Sequence, residues 1–483
     1  MILHLFNPTP LRRLLPVIAL ALLTGCATVG PDYKAPNMNV AATWQAPPDP
    51  ALLPGRSQVR QWWTLFNDPL LNRLIEEASQ NNRDLLTAMA RVEETRARLG
   101  VVRGDRLPSV DASAGVSRSR TSENAGGTGR TDTLYAPAIG ASWELDLFGR
   151  IRRSVEAAEA EYQASEEDRT DVMITLYAQV AITYLDVRTA QARLAAAEAN
   201  ITSQEEVLAL TESRLAHGLA TNLDLARAKS LLARAQSEVP PLRIAISQGV
   251  NNLAVLLGRA PGTLHAKLMA PKPIPLPPAR VTVGVPADLL RQRPDIRRAE
   301  RTLAAQTARI GVATAALYPS FSLTGSFGFE SVDTADLFDA ASRAFSFGPS
   351  LRWNIFSGGR LRNLVKAQDA VTQQSLFFYE QTVLNGLREV ENTLKAYVED
   401  RVRLAALERS VAAARHSVKL STDLYTQGLV DFQPVLDAQR DQFNFENQLA
   451  AARGDSAANF VRLYKALGGG WPGEKNQPPA GRG

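Results

Sequence analysis

The sequence predicts an α+β membrane protein with an internal two-fold repeat, in which short membrane-spanning strands continue into very long coiled-coil helices. Three observations predict this class. Four segments of about ten residues alternate strictly between apolar and polar side chains. Two far longer segments contain no proline and carry the residue spacing of a coiled coil. The whole arrangement occurs twice, because Trp143–Arg150 recurs as Trp353–Arg360 at an offset of about 210 residues.

Residues 1–25 have the pattern of a lipoprotein signal peptide. A basic pair precedes the apolar segment Leu14–Leu23, which is too short to cross a membrane as a helix. The next residues match a lipobox that ends at Cys26, the only cysteine of the chain, so a disulfide within the chain is excluded. We expect Cys26 to be the lipidated first residue of the mature protein. The alternative is a signal peptide followed by an incidental cysteine.

Proline and glycine mark the boundaries of the predicted domains. Residues 26–60 are rich in proline and polar side chains and predict a lipidated, extended tether. The Pro-rich segment 259–286 predicts a linker between a first structural repeat, residues 61–258, and a second, residues 287–468. The Gly/Pro-rich residues 469–483 predict a disordered tail.

The alternating segments predict strands at about 109–121, 134–147, 320–330 and 345–356. In the third, Phe321, Leu323 and Phe327 fall on one face, and serines and a threonine fall on the other. The lengths suit tilted strands that cross a bilayer, and aromatic residues near the ends suit an interfacial girdle. One such strand is explained more simply by a half-buried sheet in a soluble domain. Four strands in two matching hairpins favour the membrane.

Four strands cannot close a barrel, because about eight are the practical minimum. An open sheet edge cannot lie in lipid, since its backbone groups would have no water to bind. Strands that span a membrane therefore require the chain to oligomerise. The residues alone leave eight, twelve or sixteen strands open, as a dimer, trimer or tetramer.

The long helices are predicted at about 149–217, 222–258, 359–427 and 432–467, with shorter helices before each strand hairpin at Arg83–Arg106 and Ile296–Ala316. The first of these helices would be a rod on the order of 100 Å long, and its many charged side chains exclude burial in lipid. Along this helix, a line of apolar, small and polar residues recurs alternately after three and four residues, which is the spacing of a coiled-coil seam. The seam residues are Val180, Thr183, Val187, Ala190, Leu194, Ala197, Ile201, Gln204, Leu208, Thr211 and Leu215. Gly218 and Gly428 are expected to end the two longest helices in the αL conformation.

With these features the chain resembles the TolC-like outer-membrane efflux proteins, and among them the NodT-type lipoprotein branch. The resemblance covers nearly all of residues 26–470. Its specificity comes from several motifs in combination. They are the lipobox Leu23–Cys26, the following VGPDYKAP, Trp62–Pro69 with Leu70–Asn82, Trp143–Arg150, Leu290–Glu300 and Tyr425–Arg440.

The resemblance implies a homotrimer whose twelve-stranded outer-membrane barrel, four strands per chain, continues into a helical barrel in the periplasm. It implies a passive conduit that exports small molecules or drugs for a tripartite efflux pump, lipid-anchored at the outer membrane. The implied partners are a periplasmic membrane-fusion adaptor, an inner-membrane RND-type transporter and outer-membrane lipid. Two alternatives stay open: a conduit for type I protein secretion and, in a different class, a periplasmic coiled-coil scaffold lipoprotein.

The resemblance also implies roles for residues at the two helical turns. Gly218, Leu219, Gly428 and Leu429 would be the tips that dock the adaptor. Asp431, Asp437 and Tyr425 would form a periplasmic gate, because like charges brought together by three-fold symmetry repel, shift each other's pKa and bind cations. The family often has another aspartate three residues before the one at 437, where this chain has Pro434. The alternatives are an exposed helix N-cap for Asp431 and packing in the seam for Tyr425.

On the strands, Glu144, Asp146 and Arg352 are expected to line the pore, because they belong to the polar faces. No catalytic motif of the GxSxG, HExxH or CxxC type occurs, and the histidines have no metal-site spacing. The glycine-rich segment 126–129 lacks the lysine of a phosphate-binding loop, and it predicts an exposed hairpin loop. A formal net charge of +5 is too small to indicate nucleic-acid binding. We therefore expect neither an enzyme, nor a metal, nor a cofactor.

Overall fold

The structure, a computed structural model, describes residues 28–45, 49–54, 61–286 and 292–469. The predicted signal peptide, Cys26 and nearly all of the predicted tail lie outside the described residues. The chain divides into two compact units. The sheet unit comprises the described residues up to Asn37 together with Arg91–Glu166 and Arg298–Glu380. The helical unit comprises the described residues of Met38–Ala90, Glu167–Arg297 and Gln381–Gly483.

The predicted strands and helices occur in the predicted order, and the structure adds two short strands and two α-helices that the sequence analysis did not predict. The strands are β1 (Leu52–Pro54), β2 (Ser109–Arg120), β3 (Thr131–Leu145), β4 (Val281–Val283), β5 (Ser320–Phe329) and β6 (Arg343–Arg352). The α-helices are α1 (Pro69–Asn81), α2 (Arg83–Gly104), α3 (Arg150–Ala216), α4 (Asn222–Ser237), α5 (Val239–Leu256), α6 (His265–Leu268), α7 (Pro294–Ala315), α8 (Arg360–Thr426) and α9 (Gln433–Ala466). Both α3 and α8 contain 67 residues, and each begins and ends within one residue of its predicted bounds.

One predicted helix is divided in the structure. The segment predicted as a single helix at 222–258 is broken at Glu238, which ends α4 and also precedes α5. Pro240 and Pro241 come directly after the break. A proline donates no backbone hydrogen bond, and its ring clashes with the carbonyl four residues earlier, so it is tolerated in the first turn of a helix but not in the interior.

In the sheet unit, β2, β3, β5 and β6 form an antiparallel sheet in that order. The register aligns Ile139 with Phe327 and Phe327 with Phe345, so the apolar positions of neighbouring strands share a face. Polar positions align on the other face, where the Ser322 and Ser350 hydroxyls lie 2.8 Å apart. The predicted alternation is confirmed. Phe345 remains 72% exposed within the chain, so the apolar face is uncovered.

The N-terminal part of the sheet unit, residues 28–37, packs on helices α3 and α7, and we call it the strap. Val29 donates its backbone N–H to the carbonyl of Phe148 at 3.1 Å. Gly30 lies so close to Gly311 of α7 that a Cβ at Gly30 would overlap the Gly311 backbone. Tyr33 donates its hydroxyl to Glu300 at 3.0 Å. This part of the predicted tether is therefore held on the helices.

Arg153 of α3 is the polar centre of the strap contact, and its side chain is only 4% exposed. Its Nη2 donates to Asp32 Oδ1 at 2.7 Å, and its Nε donates to the carbonyl of Val29 at 3.2 Å. Nη1 donates to Glu156 of its own helix at 2.8 Å. Nη2 also donates to the carbonyl of Gly30 at 3.2 Å, so the strap accepts three of the four hydrogen bonds that this guanidinium makes. A buried guanidinium is stable only when its donors are satisfied.

The helical unit contains the largest hydrophobic core, in which Trp62, Tyr184 and Phe460 are fully buried. A later part of the predicted tether joins this unit, because β1 pairs in parallel with β4 from the predicted linker. Trp44 donates its indole N–H to the carbonyl of Gly284 at 2.6 Å.

The predicted seam of α3 faces other helices. All its residues from Val180 to Leu215 are buried or half-buried. Arg193 donates to Asn447 of α9 at 2.7 Å, and Gln439 of α9 donates to Ser203 at 3.2 Å. None of the helices in the described part of the chain combines the length and the apolar character of a membrane-crossing helix.

Candidate functional site

The turn that ends α3 is built on Gly218. This glycine has φ of 72° and donates its N–H to the carbonyl of Leu215 at 2.9 Å. The next N–H, from Leu219, reaches back to the carbonyl of Arg214 at 2.8 Å. The pair of bonds is the Schellman motif, which satisfies the last carbonyls of a helix.

The turn that ends α8 repeats this geometry. Gly428 has φ of 75°, and its N–H donates to the carbonyl of Tyr425 at 3.0 Å. Leu429 donates to the carbonyl of Leu424 at 3.0 Å. Leu219 and Leu429 are 65% and 66% exposed. Each turn therefore presents one uncovered leucine directly after its glycine.

The helices that follow the two turns begin differently. Thr221 and Asp224 form a reciprocal capping box at the start of α4. At the start of α9 the N-cap residue is Phe432, which makes no side-chain cap hydrogen bond. The alternative that Asp431 is the N-cap is therefore wrong by one residue. Phe432 already has helical dihedral angles, and Pro434 occupies the second helical position. Asp431 is exposed, in front of the helix.

Asp437 lies one turn inside α9 and is half-buried. Gln433 donates its amide to Asp437 Oδ2 at 3.2 Å, and Arg440 lies 3.3 Å from Oδ1. The charge of Asp437 is therefore partly compensated within its own helix, whereas Asp431 projects into solvent.

Tyr425 is 4% exposed and packs on Phe432, with ring centroids 5.2 Å apart. The guanidinium of Arg214 lies over the tyrosine ring, 4.5 Å from its centroid. Nη1 of Arg214 donates to the carbonyls of Tyr425 and Thr426 at 3.0 and 3.3 Å. Within the described residues, neither the Tyr425 hydroxyl nor Nε of Arg214 has a hydrogen-bond partner, although both are buried.

Arg214 was not among the residues predicted from the sequence. The available signal was a basic residue in the last turn of α3, where a cation favours helix carbonyls. The structure shows that those carbonyls belong to the other long helix.

At the ends of the strands, Glu144 and Arg150 form a bidentate ion pair with both distances 2.8 Å. Asp146 accepts the backbone N–H groups of Ile151 and Arg152 at 3.0 and 2.8 Å, so it caps the start of α3. Arg352 is exposed at the end of β6. In the described part of the chain, no group of three or more acidic, histidine or cysteine side chains is arranged to hold a metal ion.

Known proteins resemble the chain along nearly its whole length. The family model described as "Outer membrane efflux protein" matches residues 74–259 and again residues 285–469. The toluene efflux pump outer membrane protein TtgI of Pseudomonas putida is 37% identical over 475 residues, which cover 96% of this chain and 99% of TtgI.

Solved structures agree with this comparison. The outer-membrane channel OprN superposes with a TM-score of 0.87 at 36% identity, covering 92% of this chain and all of OprN. The open state of the MtrE outer membrane channel of Neisseria gonorrhoeae gives a TM-score of 0.82 at 30% identity, covering 92% and 98% of the two chains.

Proposed function

The chain belongs to the outer membrane efflux protein family and is an efflux protein of the outer membrane, and we propose that three copies form the exit channel of a tripartite pump. The observation that carries this proposal is the sheet, whose apolar positions align on one face and whose polar positions align on the other. Such a sheet suits lipid on one side and water on the other.

The sheet also supports oligomerisation. Within the described residues, β2 and β6 each pair on one side only. Unpaired edges in lipid would leave backbone groups without partners, so β2 of one copy must pair with β6 of the next. Three copies give the twelve-stranded barrel that the family resemblance implies.

The conduit is passive in this proposal and catalyses no reaction. It keeps solutes in water while they cross, and the energy comes from an inner-membrane RND-type transporter joined through a periplasmic adaptor. The exposed leucines after Gly218 and Gly428 are the proposed adaptor contacts. Glu144 and Arg352 on the polar strand faces are the proposed pore lining, with Asp146 at their periplasmic end as a helix cap.

Lipidation at Cys26 is part of the proposal. The strap begins beside Phe148, where β3 leads into α3. A lipid two residues before the strap would therefore enter the membrane close to the ends of the strands. The two separate matches to one family model support the proposed internal repeat, with its boundary in the linker.

We further propose that the turns of α3 and α8 form the closed periplasmic gate. Asp431 and Asp437 would repel their symmetry copies or bind cations between them, and Tyr425 would use its unpaired hydroxyl in a state other than this one.

The experiment is single-channel recording in planar bilayers with the full chain, comparing wild type with the double variant Asp431→Ala/Asp437→Ala. We expect small, cation-selective currents that become larger in the double variant. Asp441→Ala, which removes an exposed carboxylate farther along α9, is the matched control. Wild-type currents that the double variant leaves unchanged would retain the channel and remove the acidic gate. Failure of folded, processed protein to insert would favour the periplasmic scaffold.

A further inference from the structure

The sheet unit contains a groove of about 600 Å³, lined by the helices that precede and follow its strands. Four helices line it in the order α2, α3, α7, α8, which is also the order of the strands they adjoin. Contacts between neighbours confirm that order. Thr95 of α2 lies 2.7 Å from Ser165 of α3, Glu161 of α3 pairs with Arg309 of α7, and Gln368 of α8 donates to Gln306 of α7 at 3.0 Å. A groove that touches the first and the fourth helix of one layer lies on the concave face of that layer.

The strap occupies the opposite face of α3. Arg153 and Glu156 point toward the strap, whereas Ser154, Ala158 and Glu161 line the groove. At about 100° per residue these two sets fall on opposite sides of the helix. The groove is therefore open on the side that the strap does not cover.

The groove also lies on the same side as the polar face of the strands. Arg150 lines the groove, and its guanidinium forms the bidentate pair with Glu144 of β3. Because Glu144 aligns with Ser322 and Ser350 in the sheet, this ion pair joins the polar face of the strands to the groove. In the proposed channel this is the side of the solute pathway.

The groove wall is mostly apolar and carries no unpaired formal charge. Arg150 is paired with Glu144, and Glu161 is paired with Arg309. The uncharged polar side chains are Ser154 and Gln368. The apolar part of the wall includes Val102, Ala313, Ala316, Leu364, Ala367 and Val371. Leu364 and Val371 are 49% and 39% exposed, so apolar surface is available to a ligand.

We propose that this groove is a weak binding site for uncharged aromatic small molecules of the toluene class. The volume lies in the range of small-molecule sites, about 300–1,000 Å³, and paired charges favour a neutral occupant over an ion. The name of the relative TtgI specifies an aromatic solvent of this kind. The inference rests on the proposed function, and it gives apolar solutes a site along an otherwise aqueous path. Weak binding is required, because a solute must also leave.

The test is protection of an engineered thiol in the full, assembled protein reconstituted in nanodiscs. Ala367→Cys places the thiol in the groove, and its reaction with a water-soluble maleimide is followed by peptide mass mapping. Gln373→Cys, exposed on the opposite side of α8, is the matched control and reports any effect of toluene on the lipid. We expect near-saturating toluene to slow labelling at 367 by about threefold, following 1 + [L]/Kd, and to leave 373 unchanged.

Two further measurements define the ligand class and the site. Benzoate and benzylammonium at the same concentration are expected to give no protection, because the groove offers no free counter-charge. Ala313→Phe in the Ala367→Cys background fills the groove and is expected to abolish protection by toluene. Equal protection at 367 and 373, or protection that survives Ala313→Phe, would overturn the proposal.

The readout separates this inference from the channel itself. Normal single-channel currents without protection at 367 would remove the groove site and retain the channel. Protection at 367 without currents would retain the groove and remove the conduit.

Discussion

Arg214, in the last turn of α3, donates from Nη1 to the carbonyl oxygen of Tyr425, in the last turn of α8, at 3.0 Å. The same guanidinium covers the tyrosine ring. One side chain therefore joins the ends of the two longest helices at the proposed gate, although the residues are separated by 211 positions in the sequence.

Arg214→Ala is expected to favour the open channel. A hydrogen bond from a charged donor contributes roughly 1.5–3 kcal/mol, so its loss shifts a closed–open equilibrium by roughly 10- to 150-fold. Open probability in planar bilayers measures this shift. Arg227→Ala, which removes the same charge from an exposed position on α4, is the control. Equal open probabilities for the two variants would show that the Arg214 contact does not hold the gate.

Gly428→Ala is expected to loosen the second turn. An L-residue in the αL conformation costs roughly 1–2 kcal/mol, which increases local opening by roughly 5- to 30-fold. Limited proteolysis at the turn measures the opening. Gly100→Ala is the control, because Gly100 lies within α2 with no atom close to an added Cβ, and alanine there favours the helix. Faster cleavage in both variants would mean that a general loss of stability is responsible.

Arg153→Ala is expected to release the strap. The substitution removes the donors to Asp32 and to the carbonyl of Val29, and protease cleavage within residues 28–37 becomes severalfold faster. Arg103→Ala is the matched control, since Arg103 lies 3.7 Å from Glu159 and both side chains are about half exposed. Exposed pairs of that kind contribute little. Unchanged cleavage in Arg153→Ala would indicate that apolar and glycine contacts alone hold the strap.

Asp400→Asn is expected to raise stability at neutral pH. Burial raises the pKa of Asp400 above its ordinary value of 3.8, and the hydrogen bond from Asn459 offsets part of that rise. The folded state therefore binds the proton more tightly than the unfolded chain. The protonated carboxyl therefore contributes folding stability that is fully present below pH 3.8 and is lost as the pH rises through the folded-state pKa.

The neutral amide avoids that loss. We therefore expect the melting temperature of the Asp400→Asn variant at pH 7 to exceed that of the wild type by on the order of 1 °C. The gain should vanish at about pH 3, where the wild-type carboxyl is protonated. Asp441→Asn, at an exposed position, provides the baseline. A gain of equal size at both pH values would mean that packing, not ionisation, is changed.

Local sequence patterns were sufficient for the four strands of the antiparallel sheet and for α3 and α8. Alternation specified which face of each strand is apolar, and the register of Ile139, Phe327 and Phe345 confirms it. Glycine and the end of a long proline-free segment specified the bounds of α3 and α8 to one residue. Both patterns depend on neighbours along the chain, and this is why they can be recognised in one sequence.

Contacts between distant segments had no such pattern. The pairing of Arg214 with the end of α8, and of Arg153 with the strap, requires knowledge of which helices are neighbours. The break at Glu238 is different, because Pro240 and Pro241 are a local signal for it in the sequence. The prediction of a single helix at 222–258 did not take these prolines into account.

The strap places a requirement on the timing of biosynthesis. Its glycine at position 30 rests on Gly311, which is made about 280 residues later, on the order of half a minute at ribosomal speed. During that interval the N-terminal segment can contact Arg153 of α3 but lacks the α7 part of its docking surface. The strap of each copy therefore completes its packing only after the second half of its own chain is made, and a polypeptide truncated before α7 would lack the contacts to Glu300 and Gly311.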